Sequence, residues 1–231
     1  MTGKTAARLL VGPLMAALLL FQMGYQFWEG PIHEWAGALL AALFAAHHLL
    51  NAGWHASLFT GKYPPWRVYR LCVSLALLAA AISVLWAALV LSAHLPAFLR
   101  LEGDLSFARR LHMLGVHWAF ILAGMHVGLN LGRAARASGS LFRPGGGAAG
   151  RLLSAAGLLA AAWGAWAFFR RGFPGLLFSR QEFAFLDYGE PQVRFYLDYL
   201  AIAFMCAFAS RHFAALLRRR ASKAGTGPRP T

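Results

Sequence analysis

The stretch HEWAGALLAALFAAHHLLN, residues 33–51, is an apolar run that begins with a histidine and has another histidine 14 residues later. The stretch HMLGVHWAFILAGMHVGLN, residues 112–130, repeats both the apolar character and the 14-residue interval. An α-helix turns about 100° per residue, so 14 residues fall about 40° short of four full turns. Each run therefore predicts a helix with two histidines stacked on one face. These histidines are His33 and His47 in the first run, and His112 and His126 in the second.

The composition of the whole chain is that of a membrane protein. Of its 231 residues 59% are hydrophobic and 13% are charged, against about 25% charged residues in ordinary soluble domains. A net charge of +14 would suggest nucleic-acid binding in a soluble protein. Here the basic residues lie in loops between apolar runs, where membrane topology and anionic lipid account for them. We therefore expect contact with membrane lipid and none with nucleic acid.

Six apolar runs predict an all-α integral membrane protein with about six transmembrane helices in a bundle, since one crossing takes about 20 residues. The predicted spans are residues 9–28, 35–61, 71–99, 111–132, 152–169 and 195–217. They form one membrane domain, 1–217, which includes an outer amphipathic segment at 173–194. Residues 218–231 are expected to form a basic, disordered cytoplasmic tail, and 138–150 a flexible loop.

The charged residues divide unequally between the two sides of these spans. One side has 15 of the 22 Lys and Arg residues, and the other has all eight Asp and Glu residues. The positive-inside rule then predicts a bacterial inner-membrane protein with both termini in the cytoplasm. The second and fourth spans run in the same direction, so His33 and His112 are expected near the outer face. His47 and His126 are expected near the inner face.

Ionisable side chains inside a bilayer are costly and usually functional. Two neutral imidazoles saturate the axial positions of a haem iron, and such an iron transfers electrons because it has no open site. We therefore predict two b-type haems between the second and fourth spans. His33 and His112 would bind the outer iron, and His47 and His126 the inner iron. The sequence has no C-x-x-C-H motif, so both haems would be held non-covalently.

Other histidines leave alternatives open. His48 lies 15 residues after His33, about 60° past four helical turns, and is the alternate ligand for the inner iron. His117 faces away from His126 and is expected to pack in the core or line a quinone site. His55, His94 and His212 are expected at interfaces or in solvent.

Small, polar and basic residues near the histidines each have more than one interpretation. Glycines fit either the approach of a flat macrocycle or tight helix packing; they are Gly37, Gly115, Gly124 and Gly128. Asn51 and Asn130 would bind a haem propionate, orient a ligand or bind their own helix backbone. Arginines that fit either propionate pairing or topology are Arg67, Arg70, Arg109, Arg110 and Arg133.

The stretch 173–199, on the outer side, also contains carboxylates that could accept protons from a quinol in an apolar cleft. They are Glu182, Asp187 and Asp198. Simple anchoring of this aromatic, mixed-charge segment at the membrane surface explains it as well.

The H-x13-H pattern on two alternate spans resembles the di-haem b-type cytochromes, including quinol-linked cytochrome b subunits and ferric-reductase-like membrane domains. HEWAG…HHLLN, LHMLGVHW…MHVGLN and FAFLDY…VRFYLDYLAI also resemble a bacterial domain-of-unknown-function family of multi-span membrane proteins, number four-four-zero-five. These short motifs cover most of the chain, and the resemblance implies a haem-binding membrane protein without naming a substrate. Ferric-reductase-like enzymes carry a cytosolic flavin and nicotinamide module, where this chain has a short tail.

We therefore expect a di-haem cytochrome that acts as the electron-transfer subunit of an oxidoreductase. Its electrons would be exchanged with quinol or with a redox partner, such as a flavoprotein or a periplasmic reductase. The alternative is a proton or metal transporter, or a membrane scaffold, whose histidines bind no haem.

Overall fold

A computed structural model describes residues 3–137, 148–181 and 187–225, and this part of the chain is helical with no strand. The α-helices are α1 (Gly3–Met23), α2 (Gly30–Leu50), α3 (Ala52–Ala56), α4 (Pro65–Leu91), α5 (Leu105–Ala137), α6 (Ala148–Arg170), α7 (Phe173–Leu177) and α8 (Gln192–Gly225). The predicted all-α class is confirmed.

The described helices also confirm an integral membrane protein with about six spans. Helices α1, α4, α5, α6 and α8 are each long and apolar enough to cross a membrane. Helix α2 and the following segment Ala52–Phe59 pass the same test together, although a bend of 57° separates them. They form a sixth span if the bent pair is counted as one crossing.

Several predicted boundaries were wrong, for local reasons. The second span was expected to continue to residue 61 as one run, but it is interrupted at Asn51, which leaves the helical conformation at φ −105° and ψ 24°, and the bent continuation ends at Phe59. The third was expected at 71–99, whereas α4 begins with a proline at Pro65 and ends at Leu91, where Ser92 is extended. Proline suits a first helical turn because it lacks the N–H that would be unsatisfied there.

The basic tail and the loop also differ from expectation. Helix α8 continues to Gly225, so residues 218–225 are helical rather than disordered. Residues 226–231 lie outside the described residues, as does the predicted flexible loop up to residue 147. The last three residues of that loop, 148–150, begin α6.

Helix α5 is at the centre of the bundle, where it packs extensively against α4 and α8, while α6 packs on the other side of α8. The glycines of α5 permit these contacts. A Cβ on Gly115 would lie 2.7 Å from Val84 of α4, and a Cβ on Gly128 would overlap the backbone of Ala207 of α8. Gly124 likewise lies against Ala203 of α8. At these three positions the structure shows the helix-packing interpretation of the glycines.

The segment 173–194 begins inside the bundle rather than on its surface. Phe173, Leu176 and Leu177 of α7 are buried, and the Trp118 indole N–H donates to the Leu177 carbonyl at 2.9 Å. The start of the predicted outer segment is therefore packed against α5, and its interfacial, amphipathic character stays a prediction. Residues 182–186 lie outside the described residues.

Helices α2 and α5, the second and fourth predicted spans, run the same way, because His33 lies beside His112 and His47 beside His126. The described acidic residues all lie at the end where α2 and α5 begin, which we call the acidic end; they are Glu29, Glu34, Glu102, Asp104, Asp187, Glu190 and Asp198. The opposite end, where α2 ends and α4 begins, is called the basic end.

Candidate functional site

Two pairs of imidazole rings face each other across the space between α2 and α5. The ring centroids of His33 and His112 are 6.4 Å apart, with 70° between the ring planes. Those of His47 and His126 are 6.5 Å apart, again at 70°. The structure thus brings together the four histidines in the pairs expected from the sequence. The two levels are about 21 Å apart along α2, at about 1.5 Å per residue.

The spacing within each pair fits a metal ion between two imidazoles. A metal–imidazole bond is about 2.0 Å, and each ring nitrogen lies about 1.2 Å from its centroid, so two rings on opposite sides of one metal have centroids about 6.4 Å apart. A direct hydrogen bond brings rings closer. His48 and His55 show this, because their nitrogens are 3.1 Å apart and their centroids only 5.2 Å apart.

Helix α2 is held in place mainly by α1 and by contacts at its two ends, and its histidines lie on the face towards α5. Among the described helices it packs extensively only against α1. At the acidic end, the Glu34 carboxylate accepts hydrogen bonds from the Ser92 hydroxyl at 2.7 Å and the His94 backbone N–H at 2.8 Å. At the basic end, the Arg8 guanidinium donates to the Leu50 carbonyl at 2.6 Å.

The pair at the acidic end has a buried polar atom that lacks a partner. Nδ1 of His112 is buried and has no partner within hydrogen-bonding distance among the described residues, but the His112 ring lies close to the backbone of Val84 on α4. The partner ring, His33, packs edge-on against Tyr25 at 5.0 Å, and the Gln22 side chain donates to the His33 carbonyl at 3.2 Å.

The pair at the basic end has a polar neighbour that the sequence did not reveal. The Ser74 hydroxyl of α4 lies 3.3 Å from Nδ1 of His126. A hydrogen bond at Nδ1 orients the ring and leaves Nε2 for a ligand, as is usual for metal-bound histidines. Asn51 and Asn130 use their amide N–H groups to bind the backbone of their own helices. Those groups donate to the carbonyls of the histidines four residues earlier, at 2.8 Å in both cases.

His48 points towards α3 rather than towards α5. Its Nδ1 is hydrogen-bonded to His55, and its ring packs against Phe44 at 4.5 Å. The structure therefore brings His47, and not His48, opposite His126. The assignment of His47 as a ligand stays a prediction.

The remaining histidines have local partners. His117 is buried, its Nδ1 is bonded to the Met113 carbonyl at 2.6 Å and its ring packs on Phe173 at 5.3 Å. His94 is 2.9 Å from Glu34, and His212 is 2.8 Å from the Phe208 carbonyl. These contacts are those of packing and interfacial residues.

Of the arginines expected to pair either with propionates or with the membrane surface, Arg67 has partners within the chain, and propionate pairing stays a prediction for the others. Arg67 donates to the carbonyls of Ser57, Thr60 and Lys62. Arg109 and Arg110 are exposed. The side chain of Arg133 lies outside the part of the structure that is described.

A buried ion cluster involves one of the carboxylates considered for quinol chemistry. The Arg171 guanidinium donates to both oxygens of Glu190 at 2.6 Å and to Asp198 at 2.8 Å. Burial alone would lower the pKa of Arg171, but the hydrogen bonds and charges of Glu190 and Asp198 raise it. The Trp163 indole N–H also donates to Asp198 at 3.1 Å. Asp198 therefore joins α6 to α8 as an ion-pair partner.

The other two carboxylates are placed differently. Asp187 is exposed and accepts a hydrogen bond from the Gly189 N–H at 3.0 Å. Glu182 lies outside the described residues.

Comparisons with known proteins add no further information about the site. No family model, curated protein or solved structure matches the chain. Among the described residues, no group of three or more His, Cys, Asp and Glu side chains is placed to hold a metal ion. The two histidine pairs are therefore the arrangement on which a functional proposal depends.

Proposed function

We propose that the protein is a di-haem b-type cytochrome that transfers electrons across a bacterial inner membrane. The observation that carries this proposal is the pair of ring separations, 6.4 Å and 6.5 Å, on two parallel helices. His33 and His112 would hold one haem iron, and His47 and His126 the other. When bound, a bis-histidine haem supplies one-electron transfer and leaves no open site at the iron.

The residues of the chain would hold and orient these ligands. Ser74 would hold the His126 ring through Nδ1, and Tyr25 would support the His33 ring. The hydrocarbon core is about 30 Å thick, and the two histidine levels are about 21 Å apart. Electrons would therefore cross most of the membrane through two sites.

The positive-inside rule supports a cytoplasmic location for the basic end and both termini. In that orientation the pair formed by His33 and His112 is the outer pair, and the pair formed by His47 and His126 is the inner pair. Electrons would be exchanged with quinol or with a redox partner such as a flavoprotein or a periplasmic reductase. The protein would thus serve as the electron-transfer subunit of an oxidoreductase.

A reduced-minus-oxidised optical spectrum of protein purified from haem-replete cells tests the proposal. We expect a b-type signal and two haems per chain by a pyridine haemochrome assay. Low-spin ferric signals in electron paramagnetic resonance would identify bis-histidine ligation. A folded protein without haem under these conditions would contradict the proposal.

One observation favours a second candidate, a proton or metal transporter without haem. The ring of His47 lies 5.7 Å from that of His48, which is hydrogen-bonded to His55, so imidazoles form a row towards the basic end. A transporter predicts haem-free protein that moves protons or divalent metal ions into proteoliposomes. His55→Ala would abolish that flux, whereas it would leave both haems of a cytochrome in place.

A further inference from the structure

The two ends of the bundle differ in how many acidic residues the sequence places near their arginines. At the acidic end, Arg170 lies over the Trp166 ring, with its Cζ 4.9 Å from the ring centroid. The same guanidinium is 3.7 Å from the carboxylates of Glu190 and Asp198. At the basic end, arginine and tryptophan again lie together. No Asp or Glu occurs in residues 35–101 or 199–231, which include the basic-end parts of α2, α4 and α8.

The tryptophan at the basic end is Trp66, and it lies where α4 packs against α8. We call this packing interface the seam. Deep in the seam, Val73 of α4 and Ala214 of α8 belong to one buried cluster. One turn closer to the start of α4, the Tyr69 hydroxyl is 2.9 Å from the Ser210 hydroxyl. The Tyr69 ring packs edge-on against Phe213, with centroids 4.9 Å apart. The seam therefore changes from aliphatic to aromatic towards the basic end.

Two guanidinium groups meet the indole of Trp66 at the mouth of this seam. The Cζ atoms of Arg70 from α4 and Arg218 from α8 lie 5.5 Å and 5.7 Å from its centroid. Phe213, one turn deeper, leaves 48% of its surface exposed. Helix α8 runs over 31 residues in its membrane-spanning part, Gln192–Ser222, about 46 Å at about 1.5 Å per residue. It is longer than the hydrocarbon core of about 30 Å, so one of its ends extends into the headgroup region.

We propose that the mouth of this seam binds the headgroup of an anionic phospholipid. The phosphate lies beside Arg218 and Arg70, and an acyl chain follows the exposed face of Phe213. The order of apolar, aromatic and cationic side chains matches the order of acyl chain, interface and phosphate in a lipid leaflet. Guanidinium groups bind phosphate oxygens in a bidentate manner, which favours arginine at such a site. This site does not depend on the presence of haem.

Native mass spectrometry of the detergent-purified chain, incubated with equal amounts of phosphatidylglycerol and phosphatidylcholine, tests the proposal. We expect the chain to retain phosphatidylglycerol in preference to phosphatidylcholine. Arg218→Gln should lower this retention about fivefold, as expected for one basic residue at a membrane surface. Arg218→Lys keeps the charge and should retain most of the lipid. Arg170→Gln is the matched control, because Arg170 also contacts an indole ring but lies beside the carboxylates of Glu190 and Asp198. Lipid retention should not change in this variant.

Three results would overturn the lipid site. They are equal retention of both lipids by the unmodified chain, unchanged retention in Arg218→Gln, and equal losses in Arg218→Gln and Arg170→Gln. Displacement of the lipid by excess inorganic phosphate would show a site for free anions and would also overturn it. Thermal unfolding followed by circular dichroism confirms that each variant is folded before its retention is compared.

Discussion

The two histidine pairs have nearly the same geometry and different surroundings. Both have 70° between ring planes, and their centroid separations differ by 0.1 Å, from 6.4 Å to 6.5 Å. In the pair at the acidic end, Nδ1 of His112 is buried without a hydrogen bond to the described residues. In the pair at the basic end, Nδ1 of His126 is 3.3 Å from the Ser74 hydroxyl.

The positions of the imidazole rings and their chemical surroundings therefore depend on different parts of the chain. Equal 14-residue intervals on two parallel helices give both levels the same ring spacing. The neighbours come from other parts of the chain. Gln22, Tyr25 and the backbone of Val84 lie beside the pair at the acidic end, and Ser74 lies beside the pair at the basic end. Groups that hydrogen-bond a ligand histidine alter its orientation and basicity. We therefore expect two haems of the same ligation and different properties.

The largest expected effect is the loss of a whole haem from one level. His112→Ala should reduce the content from two haems per chain to one, because an iron that lacks one axial imidazole loses half of its protein ligands. The pyridine haemochrome assay measures this directly. His117→Ala is the matched control on the same helix, since the His117 ring is bonded to the Met113 carbonyl. Retention of two haems by His112→Ala would contradict the outer pair.

The second prediction compares neighbouring histidines at the other level. His47→Ala should remove the inner haem and leave the outer one. His48→Ala should keep both, because it loses mainly the hydrogen bond to His55, a change of about 1 kcal/mol in the free energy of unfolding. Haem content and thermal unfolding distinguish the two variants. If His48→Ala loses a haem and His47→Ala does not, the alternate ligand is the true one.

The sequence alone does not determine whether His47 or His48 faces His126. The 14-residue interval predicted which face of α2 bears histidines, and the alternation of spans predicted that α2 and α5 run in parallel. A helical wheel places His48 close to His47 in angle, however, and cannot distinguish them. The distinction depends on the bend after Asn51, which brings His55 within hydrogen-bonding distance of His48. Asn51 is a single polar residue in an apolar run, and the sequence alone did not predict a bend there.

Contacts between distant parts of the chain were likewise beyond the sequence. Gly115 was compatible with either a macrocycle or a helix, and only the position of Val84 decides between them. Ser74 was one hydroxyl among several in the third span until α4 and α5 were placed together. Glu34 contacts residues about 60 positions later in the chain, and no local pattern predicts such a pairing. Periodicity predicts helices and their faces, whereas partners depend on packing.

The third prediction weakens one end of α2. Glu34→Ala removes the hydrogen bonds that join α2 to Ser92 and His94. Each hydrogen bond to a charged group contributes about 1.5–3 kcal/mol, so the outer haem should dissociate at least about tenfold faster. Transfer of haem to apomyoglobin, followed optically, measures both rates, and the inner haem should be affected much less. Arg8→Gln, which removes the Leu50 contact at the basic end, should show the opposite preference. Equal acceleration at both levels in either variant would contradict separate end contacts.

The smallest expected effect tests the contact between Ser74 and His126. Ser74→Ala should lower the affinity for the inner haem by about tenfold, the lower end of the range for groups that support a ligand histidine. It should also shift the midpoint potential of that haem, because the hydroxyl no longer bonds Nδ1. Ser74→Thr keeps a hydroxyl and should restore the potential. Ser83→Ala is the control on the same helix, since the Ser83 hydroxyl donates only to the Ala79 carbonyl among its described contacts.

A potentiometric titration in the His112→Ala background makes this comparison cleanest, because only the inner haem should then contribute to the optical signal. A shift in Ser74→Ala that Ser74→Thr reverses assigns the hydroxyl to the His126 ring. A role limited to packing predicts lower stability in Ser74→Ala with an unchanged potential, and that outcome would contradict the assignment. If Ser74→Ala instead shifted the outer haem in the chain that retains His112, the pairing of His126 with the inner level would itself be wrong. The difference between the two levels therefore depends on what lies beside Nδ1 of each histidine: the Ser74 hydroxyl for His126, and no partner within hydrogen-bonding distance in the described part of the chain for His112.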